Sequence, residues 1–149
     1  MRPPSIFDSV IRERFQSRID RLTTDSQRQW GTLSVDQMVC HLSDQLRLGL
    51  GELSGRPVPG LFRFPPFNRL AIDYIPWPHG AKGPREAFTT KPVALQSDIA
   101  RLHTLLELFG SREDQREWPN HPLFGRLSGP LWARLTSKHF DHHLRQFGV

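Results

Sequence analysis

The sequence predicts an all-α domain, a bundle of four helices, and three observations carry that prediction. Apolar residues recur every three or four positions in four separate stretches. Serines with capping spacing stand ahead of two of those stretches. Prolines and glycines gather between them, with eight of the 13 prolines lying between residues 51 and 93.

Phe7, Ile11, Phe15, Ile19 and Leu22 follow Pro3 and Pro4 and predict a first amphipathic helix over about residues 5–22. Arg12, Arg14, Asp20 and Arg21 form its charged face. A polar stretch then closes on Trp30 and Gly31, after which Ser34 and Gln37 have capping-box spacing. Val35, Met38, Val39, Leu42, Leu46 and Leu50 mark the second helix, ending near Gly49 or Gly51.

Residues 51–93 carry Phe62, Phe64, Phe67, Tyr74, Trp77 and Phe88 among their prolines. They predict a long irregular crossover between helices two and three, packed against the bundle and holding a short helix around Asn68–Ile72. Leu95, Ile99, Leu102, Leu106 and Phe109 mark helix three. After a second irregular segment, Ser128 caps helix four over Leu131, Trp132, Leu135, Phe140 and Phe147. Four helices with one apolar stripe each argue for a bundle. With no repeat, low-complexity tract or linker, residues 1–149 form one domain.

Composition narrows the function. No run of eighteen apolar residues occurs, and Met1–Ile6 lacks the charged-then-apolar pattern of a secretory leader, so no membrane is involved and a cytoplasmic location is expected. The one cysteine, Cys40, falls inside an apolar helical pattern and reads as a buried thiol. The net charge is +5, but the arginines are scattered from Arg2 to Arg145, with only Lys82, Lys91 and Lys138 beside them. Without a basic recognition helix or an aromatic-basic patch, a nucleic-acid partner is not expected.

Three of the seven histidines stand in the C-terminal run from Lys138 to Gln146. At about 100° per residue, His139 and His143 share the inward face with Trp132, Leu135 and Thr136. Arg134, Lys138, Asp141 and Arg145 take the opposite side. Imidazoles at i and i+4 can reach one ion at about 2.0–2.1 Å. The alternative is a pair of core histidines, each bonded to its own neighbour. Two neutral imidazoles side by side would each need such a partner, whereas one cation serves both. His142 sits at the edge of the face. A third donor has to come from another helix: His41, at the margin of the second helix's stripe, is the first choice and His103, flanking the third, is next. A half-exposed flank position accounts nearly as well for His41. His79 and His121 lie beside prolines in loops.

The stretch from Trp30 to Asp44 (WGTLSVDQMVCHLSD), together with His121–Ser128 (HPLFGRLS) and Lys138–Val149 (KHFDHHLRQFGV), resembles the DUF1569 branch of the DinB-like superfamily. The Pro-Trp-Pro segment at residues 76–78 falls within the resemblance. The resemblance implies a four-helix bundle with a long crossover between helices two and three. It implies a metal triad at His41, His139 and His143. It also implies a homodimer, which the aromatic crossover favours as well.

Imidazole ligands suit several divalent ions, with zinc or nickel the first expectation. Three neutral imidazoles leave such an ion charged and with an open position, the arrangement of catalytic sites. Related families include thiol-dependent transferases, so the resemblance extends to a metal-dependent transferase using a low-molecular-weight thiol, or to a hydrolase, acting on a small molecule. Arg47 and Arg145 are candidate carboxylate anchors. The competing expectation is a non-catalytic stress-response or binding module whose metal is structural or absent.

Overall fold

Side-chain caps, more than apolar periodicity, set where three of this protein's five helices begin. A computed structural model describes residues 1–149. Its helices are α1 (Ser9–Ile19), α2 (Val35–Gly49), α3 (Phe67–Asp73), α4 (Leu95–Gly110) and α5 (Gly129–Gln146), with short 3-10 turns at Leu61–Arg63 and Arg85–Phe88. There is no strand, only one isolated bridge between His121 and Gly125. No helix is long and apolar enough to cross a membrane.

The first helix is shorter than its stripe suggests. Asp8 caps it by accepting a hydrogen bond from the Val10 amide, yet Ile6 and Leu22 are fully buried from the turns on either side. The stripe marks burial, and the cap marks the helix. For α2 the capping box forms as expected, with the Gln37 amide donating to Ser34 Oγ and the Ser34 amide to Gln37 Oε1. Ser128 caps α5 from the Leu131 amide, with Pro130 in the first turn. Helix α4 has no capping side chain ahead of it. Asp98 compensates from inside, accepting from the Val93 amide.

Each of α1 and α2 packs against both α4 and α5, while α1 and α2 make no backbone approach to each other, nor do α4 and α5. Trp132, Phe109, Phe140, Met38, Leu42 and Leu46 lie at the centre of one continuous apolar core. Helix α2 departs from the one-stripe expectation. Ser43, Asp44 and Gln45 are buried along with its apolar residues, and the 3-10 turn at Arg85–Phe88 with the residues after it covers the side that carries His41 and Asp44.

The crossover also differs from expectation, since most of its aromatic rings face outward. Phe64 is 62% exposed and Tyr74 55%, with Phe62, Phe67 and Phe88 also exposed. Its grip on the bundle comes from Ala71 and Ile72, which join the core, and from polar contacts with α5. Arg134 forms a two-pronged bridge to Asp73 at 2.7 and 3.1 Å. Lys138 Nζ donates to the Ala71, Ile72 and Ile75 carbonyls at the end of α3, a cation satisfying orphan helix-end acceptors.

Gly49 of α2 lies hard against Phe109 of α4 and Trp132 of α5. A Cβ there would lie 2.5 Å from the Phe109 ring and 3.2 Å from Trp132. Overpacking a core costs about 1–3 kcal/mol, more than the up to ~1 kcal/mol that alanine gains in helix propensity. Gly49→Ala should therefore lower the unfolding free energy in urea by about 1 kcal/mol or more; a gain would show slack at this crossing.

Candidate metal centre

Facing positions on α2 and α5 bring three imidazoles into one triangle. His139 and His143, one turn apart on α5, meet His41 of α2, and each pair of ring centroids is 4.7 Å apart. The rings stand nearly perpendicular to one another, at 79°, 80° and 88°. One nitrogen from each lies within 4.8 Å of the others, so the three could hold a metal ion. His41 is 4% exposed and His139 8%. The half-exposed flank position weighed for His41 is thus excluded, because the crossover closes over it and Phe88 stacks on its ring at 4.2 Å.

Hydrogen bonds on the outer side of two rings decide which nitrogen faces inward. The Ala87 carbonyl can only accept, so His41 Nδ1 donates to it at 2.6 Å and leaves a lone pair on Nε2. Gln146 Nε2 donates to the Trp30 carbonyl, which turns Gln146 Oε1 towards His143 Nδ1 at 2.8 Å. His143 therefore also keeps its lone pair on Nε2. His139 is different: Nε2 lies 2.8 Å from His41 Nε2, while Nδ1 is buried without a partner. In the metal-free protein, His139 Nε2–H donates to the His41 lone pair. Two inward lone pairs, joined by His139 Nε2 once its proton moves to the unpartnered Nδ1, make a donor set that fits a cation.

Burial keeps the triangle neutral. Desolvation lowers the His41 pKa to about 4, against opposing help from Ala87 and Asp44. Desolvation, then repulsion from His41, lowers His143 to about 3. For His139, burial and the two partner rings push it well below the ordinary range. Neutral imidazole is the metal-binding form.

The other histidines serve elsewhere. His142, half-buried at the edge of the face, packs edge-on against Trp30, Trp77, His79 and His143. His79 stacks on Trp30 at 3.8 Å. His103 binds Asp20 at 2.7 Å on the outer side of α4. His121 is buried, its Nδ1 accepting from the Leu123 and Phe124 amides, and burial lowers it to about 3.

Cys40 is the inert thiol expected, since burial raises its pKa to about 11. Arg47 is bound to Asp44, Glu52 and Thr90, while Arg145 is largely exposed and makes one surface bridge to Asp141. Sequence reasoning missed Ala87, Gln146 and Trp30. Of these only Gln146 left a signal, three residues after His143 on the same helix.

These neutral histidines make stability pH-dependent. Unfolded, each titrates near 6.5, so between pH 6.5 and about 4 the unfolded chain binds protons that the folded protein refuses. Their contribution is complete above pH 6.5 and is lost as pH falls through that window. Urea unfolding of the metal-free protein should weaken steeply from pH 6.5 towards 4. His121→Asn, whose amide oxygen replaces Nδ1 as acceptor, should remove about one proton from that slope, about 1.4 kcal/mol per pH unit. An unchanged slope would mean His121 is protonated in the fold.

No curated protein and no solved structure matches the chain. Residues 12–148 match the family described as "Protein of unknown function (DUF1569)". That span covers nearly all of the sequence, from within α1 to the residue before the last, and includes every residue of the histidine triangle; the chain belongs to the DUF1569 family.

Proposed function

We propose that the protein is a divalent-metal-binding protein with a DinB-like four-helix bundle, in which His41, His139 and His143 hold the ion. The observation that carries this is the pair of inward lone pairs, fixed by Ala87 and Gln146 and kept unprotonated by burial. The alternating contacts of α1, α4, α2 and α5 support the bundle assignment. Three imidazoles with no carboxylate among them favour zinc or nickel.

The activity we assign is transfer to, or hydrolysis of, a small electrophile, with a low-molecular-weight thiol as the preferred nucleophile. A divalent ion held by His41, His139 and His143 would supply positive charge that eases loss of a proton from a thiol or water. The chain's own residues orient the donors and exclude solvent: Gln146 and Ala87 set the tautomers, and Phe88 and Trp77 wall the rings of His41 and His139. A second reading, a module with a structural metal, is favoured by the near-complete burial of His41 and His139. X-ray absorption of the zinc-loaded protein separates the two, since three nitrogens plus an exchangeable ligand support chemistry and a fourth protein donor supports structure.

His143→Ala and His41→Ala should each abolish stoichiometric retention of added zinc after dialysis while the fold survives, whereas His142→Ala should keep it. Equal retention in all three variants would refute the triad.

We also propose that the protein pairs with a second copy through the outward face of the crossover. On α3, Phe67, Leu70 and Tyr74 share one exposed side, continuous in sequence with Phe62, Phe64 and Ile75. At about 200 Å² per ring, the four aromatics alone leave about 400 Å² open, a large part of the ~800 Å² that one partner contributes to a standard interface. Light scattering should give a dimer mass for the wild type and a monomer for Phe64→Asp with Leu70→Asp. A wild-type monomer across the micromolar range, or a dimer that survives both substitutions, would overturn this.

A further inference from the structure

Asp44 lies one turn beyond His41 on α2, and its carboxylate is completely buried. Oδ2 accepts hydrogen bonds from the amides of Thr89 and Thr90 at 2.9 and 2.8 Å and from Thr89 Oγ1 at 3.2 Å. Oδ1 accepts from Thr90 Oγ1 at 2.5 Å and from Arg47 at 3.3 Å. Four of the five donors thus come from two residues that directly follow the 3-10 turn Arg85–Phe88. Within that turn, the Ala87 carbonyl returns to α2 and accepts from His41 Nδ1. Carboxylate, threonine pair, carbonyl and imidazole close a loop that begins and ends on the same helix.

We infer that Asp44 is a positioning residue for the histidine triangle: by pinning Thr89 and Thr90 it fixes the Ala87 carbonyl on His41 Nδ1, and so keeps the Nε2 lone pair turned towards His139 and His143. The inference rests on the reading of that triangle as a metal site, but its geometry stands without an ion. Which imidazole nitrogen carries the proton is set by the hydrogen bond the other makes, and the outer partners of metal-ligating histidines govern affinity as well as orientation. Here the outer partner is a backbone carbonyl on an irregular segment. No helix or sheet ladder holds that segment in place. Four of its hydrogen bonds to α2 run to the Asp44 carboxylate, beside one from Arg47 to Thr90 and the packing of Ala87 and Phe88, and through them Asp44 acts on His41 at one remove.

A merely structural anchor would make a different prediction. It would lower stability when removed, without changing the protonation pattern of one ring. Two measurements distinguish the cases. The first is the two-bond proton–nitrogen spectrum of the nitrogen-labelled, metal-free protein, which reports the His41 tautomer directly. The second is zinc affinity, measured by competition with a chromophoric chelator.

The wild type should show His41 with its proton on Nδ1. Asp44→Ala should give a mixed or Nε2-protonated His41 and weaken zinc binding at least tenfold. Asp44→Asn keeps one oxygen for the Thr89 and Thr90 amides and can donate to Thr90 Oγ1, so it should restore the tautomer and most of the affinity. Should Asp44→Ala not fold, Thr90→Val, at a partly exposed residue, carries the test with a smaller shift in the same direction. An unchanged His41 tautomer in the variant that folds overturns the positioning role, whatever the melting temperature does. If the wild type itself binds no zinc, the metal reading fails, and the tautomer experiment still decides the role of Asp44.

Discussion

A helix buried along most of its circumference leaves few of its polar groups to water, and α2 is such a helix. Twelve of its 15 residues are buried, among them His41, Ser43, Asp44 and Gln45. An unpaired polar group in such a place costs far more than a made hydrogen bond contributes, so Asp44 and His41 constrain the segments that pack against them. Asp44 draws in Thr89 and Thr90, and His41 draws in Ala87 and faces His139. The course of the crossover and the tautomer of a candidate ligand are two consequences of one desolvated surface.

The same desolvation explains why three basic side chains sit together without repelling. In water a cluster of imidazoles is half protonated near pH 6.5. Packed into the core, each loses more by being charged than it can recover from neighbours, and the triangle is neutral across the ordinary pH range. Neutrality then leaves lone pairs facing one another. Only His139 can relieve the contact in the metal-free protein, by donating from Nε2, and this leaves its Nδ1 without a partner.

The crossover is held in a way its composition conceals. A segment so rich in phenylalanine invites the expectation of apolar packing, yet Phe62, Phe64 and Phe67 face outward. What docks is the opposite side of α3, through Ala71 and Ile72 in the core, Asn68 to the Phe124 carbonyl, Asp73 to Arg134, and the helix-end carbonyls to Lys138. Lys138 and Trp77 then connect this grip to the histidines, since the ammonium lies 5.1 Å above the Trp77 ring and that ring packs beside His139. The residues on the polar side of α5, opposite the histidines, thereby hold one wall of the cluster.

The sequence by itself determined the helices and the pairing of His139 with His143, because both are local properties. A capping box needs only Ser34 and Gln37, and two imidazoles one turn apart share a face whatever surrounds them. The limits of α1 were less legible, since Ile6 and Leu22 continue its apolar stripe into turns. The tertiary structure alone decided that His41 is buried, that Ala87 and Gln146 orient the rings, and that the aromatic crossover turns outward. Those outcomes join residues 46 and 98 positions apart along the chain. Periodicity records how one helix divides between core and solvent, and it carries no record of which distant segment covers the remaining side.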